Sequence, residues 1–401
     1  MPPRPNPRLH LTPQVGAVAE WTVGTLHGTR SVFQVAFWIL VPGFQKVKYV
    51  CGAGEPQPLE CAARRRAVGI WEDFMVKHIL TLGLMIATIG CENLTEPTPA
   101  PGEWKLVSGA RSGYFHGLGF VDQDRGWAVG DSGKILNTTD GGKSWSIQQS
   151  GTLVTLRAVS FPNPSKGWVC GGSNSIGMST NGGATWTWAH PIGESRRMFM
   201  AMSFVDERTG WVVDNFGGIL HTEDGGSTWT PQVSGTNWAI TSIHFLDAME
   251  GWACATNRVV LHTTNGGNNW ATRILDSLDY GGTVVYTDIY FATRTRGYIA
   301  TRSFASTAVH QSPIVTTTDG GERWICRSTP EQSVVQAVAF TNEHVGWGAA
   351  SSGILHTEDA GTHWTFQVQL PDALFVDVCF IDQIHGWALS FTGEIYRYQA
   401  I

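Results

Sequence analysis

The stretch Phe120 to Trp145 reads "FVDQDRGWAVGDSGKILNTTDGGKSW", and its reading decides the fold. An apolar strand ends at Phe120 and a polar turn follows. A second strand starts at Gly126-Trp127, and a glycine turn leads into "KILNT". The glycine-rich "TTDGGKSW", Thr138 to Trp145, then turns the chain into a fourth strand. Close copies of that last box recur as "STNGGATW", "TEDGGSTW", "TTNGGNNW", "TTDGGERW" and "TEDAGTHW".

The aromatic of the Gly-aromatic pair falls at Trp127, Trp168, Trp211, Trp252, Tyr298, Trp347 and Trp387. The separations of 41, 43, 41, 46, 49 and 40 residues suit four-stranded blades set in a ring. Two residues before each inner-strand Phe stand Leu118, Val159, Met202, Ile243, Ile289, Val338 and Val378, the apolar half of a period-2 pattern. The expected fold is all-β, a seven-bladed β-propeller of four-stranded antiparallel blades over 102–401.

The chain stops at "GEIYRYQAI", after the third strand of the seventh unit. The missing fourth strand is expected at the other end, in "GEWKLVSGA", Gly102 to Ala110. A strand at about 103–109 would complete the last blade, close the ring and cover an edge open to foreign strands.

Composition agrees. Gly supplies 47 residues and Trp 18, while charged residues make up 15% of the 401, a mixture for short strands and tight turns. The net charge of −6 is unevenly spread, with nine Lys or Arg against five acids over 1–90 and 18 against 28 over 91–401. The acidic body argues against a nucleic-acid partner. Seven cysteines form no CxxC pair, so no zinc site is indicated, and no other metal or cofactor is expected. Cys170 and Cys254 occupy one slot in two repeats and read as small buried apolar side chains.

Residues 1–74 carry no repeat and read as a mis-assigned start or a disordered extension. "MVKHILTLGLMIATIGC", Met75 to Cys91, has a start methionine, Lys77, an apolar run from Ile79 to Ile89 and a small residue before the cysteine. Ile79 to Gly90 would be about 18 Å long as a helix, against a hydrocarbon core near 30 Å. The segment resembles a bacterial lipoprotein signal over 75–90, with lipid expected on Cys91. Thr88 stands where such signals usually carry Leu. Residues 91–101 then form a Pro-rich tether. The implied location is exported and membrane-anchored, on the periplasmic or extracellular side.

The boxes are those of Asp-box propellers, and the wider unit resembles the photosystem II stability and assembly factor family. Departures are Asn181 and Asn265 for the box Asp, Ala360 for a Gly, Tyr298 for a Trp and a lengthened fifth unit. The resemblance implies a non-catalytic scaffold that binds a protein partner, in that family a photosystem II reaction-centre protein. Here a membrane complex undergoing assembly is the expected kind of partner, and a monomer the expected state.

An Asp in a tight turn accepts backbone N–H groups, paired glycines supply positive φ, and the Trp packs between sheets. Asp140, Asn181, Asp224, Asn265, Asp319 and Asp359 are therefore read as structural. The opposite face, built from connections between blades and between second and third strands, departs from the repeat. It offers Trp188, Arg196, Arg197, Trp238, Tyr280, Arg302 and His310 as a candidate partner face. His116 and Arg157, four before their Phe, join them at the channel mouth.

The alternative is a glycoside hydrolase of sialidase-like or xyloglucanase-like propeller type. Arg157, Arg196, Arg302 and Tyr286 would form the first site, and Asp288 with Asp377 the carboxylates of the second. An inner-strand acid bonded to neighbouring backbone is the plainer reading of either Asp.

Overall fold

The computed structural model describes residues 34–39, 47–52, 102–108, 113–193, 196–275, 284–303, 313–330 and 333–400. The chain divides into two compact units, Met1–Leu94 and Thr95–Ile401. In the first, strands Gln34–Ile39 and Val47–Gly52 pair antiparallel. The expected signal segment, tether and Cys91 lie outside the described residues. Among the described residues no helix is long and apolar enough to cross a membrane.

The second unit is a seven-bladed β-propeller of four-stranded antiparallel sheets, as the repeat requires. Blade one runs outward from Phe115–Phe120 through Gly126–Gly130 and Ile135–Thr138 to Ser146–Gln148. Each inner strand contacts the inner strands of both neighbours, so the seven close around a central channel. Blade seven takes three strands from the C-terminus, Phe375–Phe380, His385–Ser390 and Ile395–Ala400, and its fourth from Gly102–Ser108. That strand pairs antiparallel with the last one in the register Trp104↔Tyr398 and Lys105↔Arg397.

One aromatic motif repeats at every blade junction. The second-strand aromatic of each blade stacks on the inner-strand Phe of the next, as in Trp127–Phe161 at 3.6 Å, Trp211–Phe245 at 3.4 Å and Trp387–Phe120 at 3.6 Å. The box Trp then meets the same Phe edge-on, as Trp145 does Phe120 at 5.9 Å. In blade seven Trp104 fills this place, edge-on to Phe380 at 5.7 Å and 89°. The closing strand thus brings the seventh box tryptophan with it. Each such pair adds about 0.5–1.5 kcal/mol beyond the area it buries.

The glycine before each second-strand aromatic is required by close approach. A Cβ on Gly126 would lie 2.6 Å from the Phe120 ring, and the same overlap recurs from Gly167 to Gly386. Cys170 and Cys254 are buried free thiols, and burial pushes both pKa values up.

The boxes rivet blades together. The indole N–H groups of Trp127, Trp168, Trp211 and Trp387 donate to the carbonyls of Gly182, Gly225, Gly266 and Gly141, each in the box of the following blade. Asp140 accepts the Thr138 hydroxyl at 2.8 Å and the Ser144 N–H at 2.9 Å. Asn181 accepts the matching Ser179 hydroxyl at 3.0 Å and Thr185 N–H at 2.9 Å. Asp224, Asn265, Asp319 and Asp359 repeat the pattern. Hydrogen bonding holds Asp140 and Asp224 down at about 2, the Ser144 and Thr228 hydroxyls being the largest causes.

Candidate functional site: the channel mouth and its face

The box turns bond to the turns between first and second strands, as in Gly141 N–H to Asp124 O and Gly225 N–H to Arg208 O. These two sets of turns share one face. The other face carries the connections between blades and the turns between second and third strands, and there the channel opens.

A bulge in all seven inner strands shapes that opening. Pairing with the second strand skips one residue per blade: His116, Arg157, Met200, Thr241, Thr287, Gln336 and Val376. Each stands four before its Phe, and all seven line a cavity of about 790 Å³. A bulge re-aims the extra side chain out of the ladder, here into the channel.

The His116 ring Nε2 lies 2.9 Å from Asp131 Oδ1, which also accepts the Thr155 hydroxyl at 3.0 Å. Burial lowers the His116 pKa despite that carboxylate. At Asp131 burial acts upward, but hydrogen bonds from His116 and Thr155 outweigh it and leave the pKa low. Phe391 covers the imidazole at 5.7 Å and stacks on the exposed Tyr114 at 4.6 Å. Arg157 and Arg302 line the same cavity from blades two and five. The Arg157 Nε is buried and has no hydrogen-bond partner among the described residues.

Deeper in, Asp288 Oδ2 accepts the Val338 N–H of blade six at 3.0 Å, and Oδ1 accepts the Ser242 hydroxyl of blade four at 2.7 Å. Asp377 Oδ2 accepts the Leu118 N–H of blade one at 2.8 Å. The two carboxyls thus tie inner strands across blade junctions. Burial pushes both pKa values up, Asp377 to about 7, against backbone bonds that pull down; the Asp288 charge adds to the rise at Asp377. Both carboxyls also line the solvent-accessible channel, which tempers the effect of burial. Burial alone lowers the nearby His244 to about 4, against an opposing backbone bond. Among the described residues no three His, Cys, Asp or Glu gather to hold a metal ion.

The remaining sequence candidates take different places. Arg196 and Trp238 are exposed. Arg197 donates to the buried Asp214 at 2.6 Å and lies 5.6 Å over the exposed Phe216 ring. Trp188 is half-buried, its indole N–H given to the Ser150 carbonyl at 2.8 Å. Tyr280 and His310 lie outside the described residues. Tyr286 is wholly buried, at the channel wall. Met200, Thr241, Thr287, Gln336 and Asp131 were not singled out by sequence. Counting four back in every blade finds the first four, whereas nothing local to Asp131 marks it as the partner of His116.

The ring and its boxes define the second unit as a seven-bladed Asp-box propeller. The family model for photosynthesis system II assembly factor YCF48 matches residues 97–190 and 188–283. The chain therefore carries repeats of this family, as the boxes suggested. Among solved structures, YCF48 bound to a D1 peptide is 19% identical, with 76% of this chain and 100% of that one covered and a TM-score of 0.62. YCF48 from Cyanidioschyzon merolae is 18% identical over 74% of this chain and 99% of that one, with a TM-score of 0.61. An ancestral GH74 enzyme is 16% identical over 74% of this chain and 47% of its own, with a TM-score of 0.57. At these identities the structures show a shared fold. No curated protein matches the chain.

Proposed function

We propose that the chain is a non-catalytic propeller that binds a protein partner on the face around the channel mouth, in the manner of a photosystem II assembly factor. The carrying observation is that this face displays exposed Arg196, Trp238 and Phe216, the last beneath the Arg197 guanidinium. Arg and large aromatics dominate protein-binding hot spots. The family match, and a solved relative described as bound to a D1 peptide, support a partner of this type.

The anchoring expected at Cys91 would bring the chain to a membrane surface, where a membrane protein could be met. Export and lipidation are part of the proposal, tested by mass spectrometry of the native N-terminus; a peptide from residues 1–74 in the cellular protein refutes them.

The partner reading is tested by surface plasmon resonance against D1 peptides, followed by capture from native membranes. Binding that falls at least about tenfold in Trp238→Ala and Arg196→Glu supports it, the fall expected of hot-spot residues. Wild-type levels of binding in both variants refute this face as the site.

The hydrolase alternative keeps one specific observation, the Asp377 carboxyl near pKa 7 beside Asp288 in the channel. Release of reducing sugar or sialic acid that is abolished by Asp288→Ala would establish it. We expect none, because each carboxylate already serves the backbone N–H of a neighbouring blade.

A further inference from the structure

We propose that the channel mouth binds a small organic carboxylate with an apolar body, and that Arg157 holds its charged end. Arg157 is the bulge residue of blade two, so its side chain is re-aimed towards the channel. Its Nε is buried without a hydrogen-bond partner, and among the described residues no carboxylate pairs with its guanidinium. Asp131 is close enough to feel its charge, but its Oδ1 is engaged by His116 and Thr155.

A buried donor left unpaired is costly, and a guanidinium satisfies that need best with a carboxylate, through charge-assisted bonds. Arg302 reaches the same cavity from blade five and adds positive potential.

The cavity also sets what the rest of the ligand must be. Met200, Leu374, Val376 and Phe391 line it with apolar and polarisable surface, suited to an aromatic or branched body. Asp288 and Asp377 lie further in and disfavour a multiply charged anion such as phosphate. A volume of about 790 Å³ falls within the usual size of small-molecule sites. Arg196 and Trp238 do not line this cavity, so acid binding and partner binding are read on different residues.

The test is isothermal titration of the full chain with 3-phenylpropionate, its neutral amide and inorganic phosphate. The acid should bind saturably, and the amide and phosphate at least about tenfold more weakly, as expected for a lost charge-assisted bond. Arg157→Gln should weaken the acid by a similar factor, Arg157→Lys should recover only part of the binding, and Lys143→Gln, exposed on the box face, should leave it unchanged. Equal binding of acid and amide, tighter binding of phosphate, or no saturable heat up to the solubility of the acid overturns the proposal. The acid and amide comparison needs no variant, so it decides even if Arg157→Gln fails to fold.

Discussion

Trp104 and Trp347, 243 residues apart in the chain, donate their indole N–H groups to one acceptor, Gln367 Oε1, at 2.9 and 2.8 Å. The amide nitrogen of the same side chain donates to the Gly102 carbonyl at 2.8 Å. At four other junctions a box glycine carbonyl receives the second-strand Trp. Gln367 replaces it at the one junction where the following blade has no box.

Gln367→Leu keeps the volume of the side chain but strands two indole donors and one carbonyl. At about 1–3 kcal/mol for each buried group left unpaired, partly relieved by solvent, a loss of about 2–4 kcal/mol is expected. Urea unfolding measures it. A change below about 0.5 kcal/mol, the range of ordinary surface substitutions, would mean that ring closure does not depend on this bridge.

The box acids should tolerate loss of charge but not loss of the oxygen. Asn181 makes the same hydroxyl and N–H bonds as Asp140, so Asp140→Asn should cost well under about 1 kcal/mol, while Asp140→Ala should cost about 1–2. Thermal melts of the two variants decide this. Equal losses would mean that charge, rather than turn geometry, is what the box requires.

The number of blades and the closing strand were legible because steric demands leave fixed residue types behind. Gly126 must admit the Phe120 ring, and Trp104 must fill the edge-on place against Phe380. The channel site was less legible. A bulge depends on two residues facing one across a ladder, so Met200, Gln336 and Thr287 bear no common chemistry. Nor could spacing show that Arg197 is engaged by Asp214, since a second-strand end and a neighbouring loop meet only in the folded blade. The inner-strand acids were read correctly as backbone-bonded, but their role in joining blades needed coordinates.

Asp377 should make stability fall as pH rises. Its folded pKa of about 7 stands above an unfolded value near 3.9, so between those values the folded state binds more protons. The contribution is fullest below about pH 4, declines to about pH 7 and then levels off. Asp140 and Asp224, held at about 2, act in the opposite sense, with stability present above about pH 4 and lost as pH falls to about 2. Melts of wild type and Asp377→Asn at pH values across this window should show a flatter upper limb in the variant. Parallel limbs would exclude Asp377 as the source.

Ala360 holds φ +60°, where the other five boxes place glycine at φ between +68° and +74°. A left-handed residue with a Cβ costs about 1–2 kcal/mol, part of which glycine returns through the entropy of the unfolded chain. Ala360→Gly should therefore raise stability by up to about 1 kcal/mol, seen as a higher urea midpoint with an unchanged slope. A lower midpoint would show that the unfolded-chain term dominates.

Arg196 and Arg197 should separate, although they are adjacent. Arg197 donates to Asp214, whose carboxylate is buried and also accepts the N–H groups of Phe216 and Gly218 at 2.8 Å each. Arg197→Ala removes the countercharge of a buried acid and should cost about 1.5–3 kcal/mol, the range for hydrogen bonds to charged groups. The change would also disturb the turn that presents Phe216. Arg196 is exposed, and Arg196→Ala should leave stability within about 0.5 kcal/mol while weakening the partner. Urea titrations run beside partner binding test both halves. If Arg197→Ala is neutral in stability and Arg196→Ala is neutral in binding, the positive charge of this loop serves neither the blade nor the partner.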